Sequence, residues 1–397
     1  MRNLFITFIL LFSVIVNAQP LRWVKLNTYP NQTSRGEDLC FINSQTGWVV
    51  TSSGNMYKTI NGGYTWTTKG IGAFLRCISF SDSLRGFIGI YDTAFGGFPL
   101  LRTSDGGSTW VGASGLPTPK AKGFCGIQCV DANTIYAVGR IESPARIIKS
   151  TNGGSSWFYL NIDTSLATRL VDIKFFTPDS GFVTGGKGPS NLSTPVILFT
   201  SDGGTTWISK FTGSNLTTNQ AIWKISFSSR NYAVGSFNQQ AANLQFVKST
   251  DGGMTWNMFS QAVSPSVFTQ GIAFINENTG WVGGGASTYL TTNGGVNWTN
   301  NTFGTGINRI RFYSDTLGYA SGIGFYKYTA DVNIKIDENN SAISDNFKLY
   351  QNYPNPFNPT TSINYEVKRT SFVILIIYNS IGEEVRVLKE SPESIGT

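Results

Sequence analysis

Apolar and polar positions alternate along this chain in a repeating figure. Short apolar runs, often opened by an aromatic residue, are separated by clusters of Gly, Asn, Asp, Ser and Thr. That is the pattern of short strands joined by tight turns. One turn recurs six times as an eight-residue box ending in Trp, at 59–66, 103–110, 150–157, 200–207, 249–256 and 291–298. Its Asp or Asn stands at Asn61, Asp105, Asn152, Asp202, Asp251 and Asn293, spaced by 44, 47, 50, 49 and 42 residues. The period is that of a four-stranded propeller blade. A second signal recurs seven times, an aromatic opening a strand: Trp48, Phe87, Tyr136, Phe182, Tyr232, Trp281 and Tyr319. In six copies an apolar position precedes it by seven residues: Phe41, Phe80, Cys129, Phe175, Phe274 and Phe312. In the fifth copy Phe227 precedes Tyr232 by only five, which reads as a shorter turn.

A typical unit then predicts an inner strand at 171–176, a second at 182–185, a third at 196–200 and an outer one at 207–211. The box is the hairpin between third and outer strands. Asp-Gly or Asn-Gly between strands is the strongest short hairpin signal, because Gly accepts positive φ and the Asp or Asn side chain braces the turn. Trp66, Trp110, Trp157, Trp207, Trp256 and Trp298 are expected to cover the gaps between sheets. Six boxes stand against seven aromatic strands, and the N-terminus reconciles them. Trp23, in 21–27, reads like the strand that follows each box, while the last copy at 307–329 has three strands and no box. An unpaired sheet edge is costly to leave open. The expectation is an all-β fold: a seven-bladed propeller over 19–330, closed by its N-terminal strand.

The two ends carry a different pattern. Residues 1–18 hold one basic residue, Arg2, an apolar run of 13 residues and Val16-Asn17-Ala18. This reads as a signal peptide, since a spanning helix needs about 20 residues. Residues 331–348 read as a polar, acidic linker. A proline-punctuated segment follows from Leu349 through Pro354, Pro356 and Pro359, with strands expected at 362–367, 372–378 and 383–388. Nothing in the mature chain is long and apolar enough to span a membrane as a helix.

Composition narrows the chemistry. Charged residues make up only 13% and there is no histidine, which excludes Ser-His-Asp and Cys-His nucleophile systems and His-ligated metals. Neither a phosphate-binding glycine loop nor calcium-loop spacing occurs, so no cofactor and no metal are expected. Four cysteines, Cys40, Cys77, Cys125 and Cys129, read as buried free thiols, with a Cys40–Cys77 bridge left open. Residues 21–330 carry 23 Lys and Arg against 14 Asp and Glu, a net +9. The positive charges lie singly and read as solvating charge that favours anionic partners such as acidic glycans or lipopolysaccharide. Without a basic run they do not suggest nucleic acid.

Ligands are expected on the face built by the outer-to-inner and second-to-third loops. Those loops offer Tyr91, Phe95, Phe98, Lys120, Lys122, Arg140, Arg146, Lys187, Asn191, Asn238 and Gln239. A glycosidase needs two carboxylates. Of the three Glu in 21–330, Glu37, Glu142 and Glu277, the last falls in a turn on the box face. Glu142 with Asp92 is the best available pair. Boxes with Asn cannot act as acid or base, so the boxes are read as structural.

The boxes resemble the Asp-box (BNR-like) repeat of bacterial sialidases, other glycoside hydrolases and non-catalytic propellers. That resemblance implies boxes on the face opposite the usual ligand site. The Arg-Ile-Pro segment that opens sialidase domains is replaced by Arg22-Trp23-Val24, which argues against sialidase activity. Blade length, the Gly-aromatic strand starts and the count of seven make the domain resemble the photosystem II assembly and stability factor family, whose propellers bind membrane-protein assembly intermediates. The segment Tyr350-Gln351-Asn352-Tyr353-Pro354-Asn355-Pro356-Phe357-Asn358-Pro359 resembles the type A sorting domain of the type IX secretion system of Bacteroidota, a small β-sandwich. The closing strands of that domain are missing before Thr397, so the domain at 349–397 is expected to be truncated. These resemblances imply export through the type IX machinery to the medium or the outer-membrane surface, or retention in the periplasm if the shortened address fails. The leading expectation is a non-catalytic propeller binding protein or glycan. The alternatives are a sialidase-like or β-glucanase-like glycoside hydrolase using Glu142 and Asp92, and an envelope-protein assembly factor.

Overall fold

The computed structural model describes residues 20–30, 33–91, 97–139, 144–189, 192–213, 220–237, 240–330, 347–350, 360–367, 371–378 and 384–393. The expected leader, residues 331–346 of the linker and residues 351–359 of the proline-rich segment lie outside them. Every named element is a strand, and no helix among the described residues is long and apolar enough to cross a membrane. The chain divides into one unit up to Val332 and another from Asn333.

The first unit is a seven-bladed propeller. Blade 1 runs from inner to outer strand as Gly36–Phe41, Gly47–Thr51, Asn55–Thr59 and Thr67–Gly70. Blade 2 is Leu75–Phe80, Gly86–Ile90, Leu100–Thr103 and Val111–Gly112. Blade 3 is Gly126–Cys129, Ile135–Gly139, Arg146–Ser150 and Phe158–Leu160, and blade 4 is Arg169–Phe175, Gly181–Lys187, Thr194–Thr200 and Ile208–Thr212. Blade 5 begins with Ile222–Phe227, Ala233–Phe237 and Gln240–Ser249. Its outer strand continues without a break into the inner strand of blade 6 as Asn257–Phe274. Blade 6 goes on with Gly280–Gly284, Thr288–Thr291 and Thr299–Asn300. Blade 7 comprises Thr305–Phe312 and the long Gly318–Thr329, which carries Gly324 at φ +94°. The N-terminal strand Arg22–Lys25 pairs antiparallel with the end of that long strand, Trp23 opposite Tyr328, and closes the ring.

The Gly-aromatic strand starts follow from the packing of the inner-strand Phe. Phe41 pairs with Gly47 across the strands, and a Cβ on Gly47 would lie 2.4 Å from its ring. The same pairing recurs at Phe80–Gly86, Phe175–Gly181, Phe274–Gly280 and Phe312–Gly318. Blade 3 exchanges the volumes, with Cys129 opposite Ile135. In blade 5 Phe227 pairs with Ala233, the same six-residue offset as elsewhere, so the turn is not shortened. Val234 stands where other blades place the aromatic, and Tyr232 is displaced by two positions. Its ring still reaches Phe274 of the next blade, 5.5 Å away.

Second-strand aromatics pack on the inner-strand Phe of the following blade. Trp48 stacks on Phe80 at 3.6 Å, Tyr136 on Phe175 at 3.9 Å, and Tyr319 returns to Phe41 at 3.8 Å. The box tryptophans meet these rings edge-on, as Trp110 does Phe80 (88°), Trp157 Phe87 (83°) and Trp207 Phe175 (84°). Such pairs add to the burial of their own surface.

Within a box the opening Thr or Ser bonds both the Asp or Asn side chain and the second Gly N–H. Thr103 Oγ1 donates to Asp105 Oδ1 (2.8 Å) and accepts from Gly107 N (3.0 Å). The Asp or Asn Oδ1 then accepts from the backbone four residues on, from Thr65 N to Asn61 (2.8 Å) and from Thr206 N to Asp202 (2.9 Å). In Asp boxes the later Thr hydroxyl donates to the carboxylate, and in Asn61 and Asn152 the amide donates to the hydroxyl instead. The two residue types therefore satisfy the same turn. The first box Gly donates to the inner turn of its own blade, Gly62 N to Gln45 O (2.7 Å) and Gly203 N to Asp179 O (2.8 Å), so boxes and inner turns share one face.

The second unit contains two antiparallel pairs among the described residues, Phe347–Leu349 with Tyr365–Val367 and Ser371–Tyr378 with Glu384–Glu393.

Candidate functional site: the central channel

Inner strands put one side chain of every second residue on the propeller axis. Cross-strand register aligns the seven blades and resolves the channel into rings. Nearest the box face stand Cys40, Ser79, Gln128, Lys174, Ser226, Ala273 and Arg311, each one residue before its strand's terminal position. Two residues earlier stand Asp38, Cys77, Gly126, Asp172, Lys224, Gly271 and Arg309. Above these the register slips by a β-bulge in blades 1, 2, 4, 5 and 6, after Gly36, Leu75, Leu170, Ile222 and Thr269. A bulge re-aims a side chain. Glu37, Arg76 and Trp223 are the bulged residues in three of these blades, and their mutual contacts form a third layer toward the loop face.

That upper layer is a closed network. Arg76 Nη1 lies 2.6 Å from Glu37 Oε2, and Asn308 Nδ2 donates to Glu37 Oε2 at 3.2 Å. Trp223 Nε1 donates to Asn308 Oδ1 at 3.1 Å, and the Arg76 guanidinium sits 4.9 Å over the Trp223 ring. Arg35, near the loop face, pairs with Glu37 (2.7 Å) and donates to Gln270 Oε1 (2.8 Å).

The middle ring is tied together by Arg309. Its Nη1 and Nη2 both lie 2.8 Å from the Asp172 carboxylate, and its Nε lies 2.9 Å from Asp38 Oδ1. One guanidinium thus joins blades 7, 4 and 1. Burial raises the Asp172 and Asp38 carboxyls, but the Arg309 guanidinium together with Lys224, and for Asp38 also Arg311, outweighs it and holds both below the usual carboxylate range. Lys224 is buried beside them with no hydrogen-bond partner on Nζ. Desolvation and the flanking Arg309 and Arg76 push its ammonium well below the ordinary lysine value. For the buried basic residues the reading as solvating charge is therefore corrected. Arg76, Arg169, Lys224 and Arg309 are each no more than 5% exposed.

Below Arg309 the channel opens into a cavity of about 710 Å³. Its lining includes Ser228, Ile275, Tyr313 and Asp315, residues of the inner turns, so the mouth is on the box face. Glu277 is exposed in one of those turns. The four cysteines are free thiols: Cys77 and Cys125 are buried, whereas Cys40 and Cys129 are half-buried and line this cavity.

On the loop face, Asp92, Phe95, Arg140, Glu142, Asn191, Asn238 and Gln239 lie outside the described residues. Tyr91 packs on Phe74 with ring centroids 5.0 Å apart. Phe98 packs on the blade 2 core and carries Lys120 Nζ 4.8 Å over its ring. Arg146 lies 5.1 Å over Tyr159, and Lys187 is exposed at the end of its strand. The channel rings escaped sequence reading because each blade contributes one residue. The available signal was the charge inside otherwise apolar inner strands, as in 36–41 and 222–227. Among the described residues no group of three or more acidic or thiol side chains is arranged to hold a metal ion.

No protein-family model matches the sequence, and no curated protein matches it. Among solved structures the chain is similar to YCF48 bound to a D1 peptide, with 18% identity, a TM-score of 0.58, and coverage of 79% of this chain and 97% of that one. It is similar to YCF48 from Cyanidioschyzon merolae at 19% identity and TM-score 0.58, over 77% and 98% of the two chains. It is also similar to a GH74 xyloglucanase from Xanthomonas campestris at 12% identity and TM-score 0.56, covering 78% of this chain and 53% of that one. Likeness at these identities is one of fold.

Proposed function

We propose that this protein is a non-catalytic β-propeller that binds a protein partner, exported by the leader at 1–18 and addressed to the type IX secretion machinery by residues 349–397. Its site of action is then the medium or the outer-membrane surface. One observation carries the binding role. Each carboxylate of the channel rings, Glu37, Asp38 and Asp172, is committed to a guanidinium, so the axis presents cations and hydrogen-bond donors to a ligand. An acid–base pair needs a carboxyl whose proton is free to move, and these are locked in ion pairs. A YCF48 structure holds a peptide, and that precedent on the same fold supports a peptide-binding role here. On this reading the boxes are Asp-box hairpins that hold the blades together.

The test pairs two assays on the full-length protein. A panel of sialosides and plant β-glucans is expected to give no turnover, while an array of immobilised peptides is expected to retain the protein. Turnover abolished by Glu142→Gln would replace this reading with a glycoside hydrolase. Equal retention on every peptide would sink the binding role.

A further inference from the structure

We propose that the box-face mouth of the channel is a binding site of its own, for the carboxylate of an acidic peptide held between the Lys174 ammonium and the Arg311 guanidinium. The site deepens the reading above, on whose cationic channel it rests, by naming the face and the chemical group that the channel receives. Charge at this end of the channel is unbalanced. In the two rings at this end, Asp38 and Asp172 face four basic residues: Lys174, Lys224, Arg309 and Arg311. Arg309 takes both oxygens of Asp172 and one of Asp38. Arg311 reaches Asp38 through Nη2 alone (3.1 Å), and its Nε has no hydrogen-bond partner. Among the described residues Lys174 has no acidic partner in contact, and its Nζ lies 5.6 Å over the Phe176 ring. Desolvation and the Arg311 charge push the Lys174 ammonium down against the smaller pull of Asp172. Among the lining residues the only acid is Asp315, exposed in a turn.

Shape agrees with charge. A volume of about 710 Å³ falls in the range of ligand pockets and exceeds what a bare ion needs. A planar two-oxygen acid suits a guanidinium fork facing an ammonium point charge. Ser226, Ser228 and the half-exposed Tyr313 ring line the way in and would contact the residues that precede the carboxylate.

The experiment measures fluorescence anisotropy on the full-length protein with a fluorescein-labelled Gly-Ser-Glu-Leu peptide bearing a free carboxyl terminus. Comparators are its Gln-containing C-terminal amide and inorganic phosphate as competitor. Lys174→Gln is the primary variant, because among the described residues Lys174 makes no ion pair or hydrogen bond whose loss would disturb folding. Arg311→Gln is the second and Lys187→Gln the loop-face control. Losing a charge-assisted contact is expected to weaken binding by about tenfold in Lys174→Gln. The amide peptide should fail to bind and Lys187→Gln should match the wild type. Equal binding of acid and amide peptides, or unchanged affinity in Lys174→Gln, overturns the proposal. Displacement by phosphate at concentrations equal to the peptide's reassigns the mouth to a free oxyanion and also overturns it. A loss in Lys187→Gln alone would move the ligand to the loop face, so that this site fails while a peptide-binding propeller stands. Absence of any binding overturns the proposal outright.

Discussion

Arg309→Met removes the side chain that ties blades 1, 4 and 7 across the axis. Methionine keeps the length of the stem but leaves buried Asp172, at 2% exposure, without its guanidinium and Asp38, at 1%, with Arg311 alone. Breaking a buried ion pair by deleting one partner costs about 3–5 kcal/mol, because a desolvated charge is left behind. Two carboxylates share this cation, with three contacts between 2.8 and 2.9 Å, so the upper part of the range is expected. For a domain of this size the midpoint of thermal unfolding should fall by roughly 10 °C, followed by circular dichroism. The pH dependence has a definite sign. Both carboxyls have folded values lowered below the roughly 3.9 of an unfolded chain. Their stabilisation is fully present above that value and is lost as pH falls through the lowered folded values. In the variant, loss of the guanidinium moves both carboxyls up from these values. The gap between wild type and variant should therefore be widest near pH 7 and narrow as pH falls toward roughly 4. Adding Asp172→Asn should restore part of the loss. A difference below about 1 kcal/mol that stays flat from pH 7 down would refute the cross-brace, since that is the size of a surface pair.

Lys224→Met should raise stability at pH 7, because the folded value of this buried lysine is depressed and the unfolded chain binds more protons below its ordinary pKa. The gain should fade as pH rises toward about 10.4, and a gain that grows instead would show the ammonium to be satisfied. Trp23→Ala strips the closing strand of its contacts with Trp281, Phe303, Phe312 and Tyr328 and should cost about 3 kcal/mol in urea unfolding. A negligible effect would mean that the strand pairing alone closes the ring. Gly154→Ala places a methyl 2.4 Å from Phe87 Cζ at φ +84°, and should cost more than Gly72→Ala, where φ is +82° and nothing lies within 4 Å. Equal losses, each about 1 kcal/mol, would show that φ alone matters at the box.

The same chain is legible at one level and opaque at another, for a physical reason. Each box solves a local problem: two successive glycines at positive φ, an Asp or Asn accepting from the backbone four residues on, and a Trp turned into the gap beside it. The copies are short and self-contained, so they stand out in sequence and fix the blade count, and with it the closing role of Trp23. In blade 4 the expected strands at 171–176, 182–185, 196–200 and 207–211 agree to within two residues with Arg169–Phe175, Gly181–Lys187, Thr194–Thr200 and Ile208–Thr212. Tyr232 misleads because the register is set by Phe227 against Ala233, a relation that only the pairing reveals. The channel is non-local throughout. Asp38 and Arg309 meet across a separation of 271 positions, and each blade supplies a single member of a ring. The period-two rule also fails where it is needed. In adjacent pairs such as Glu37-Asp38 and Trp223-Lys224, both residues join the axial network because a bulge intervenes, whereas strict alternation would have sent one of each pair outward. A charge interrupting an apolar inner strand of a closed ring is therefore better read as an axial ion-pair partner than as solvated surface. By that rule Lys174, the basic residue of the lower ring with no acidic partner in contact among the described residues, is the one to probe first for a ligand.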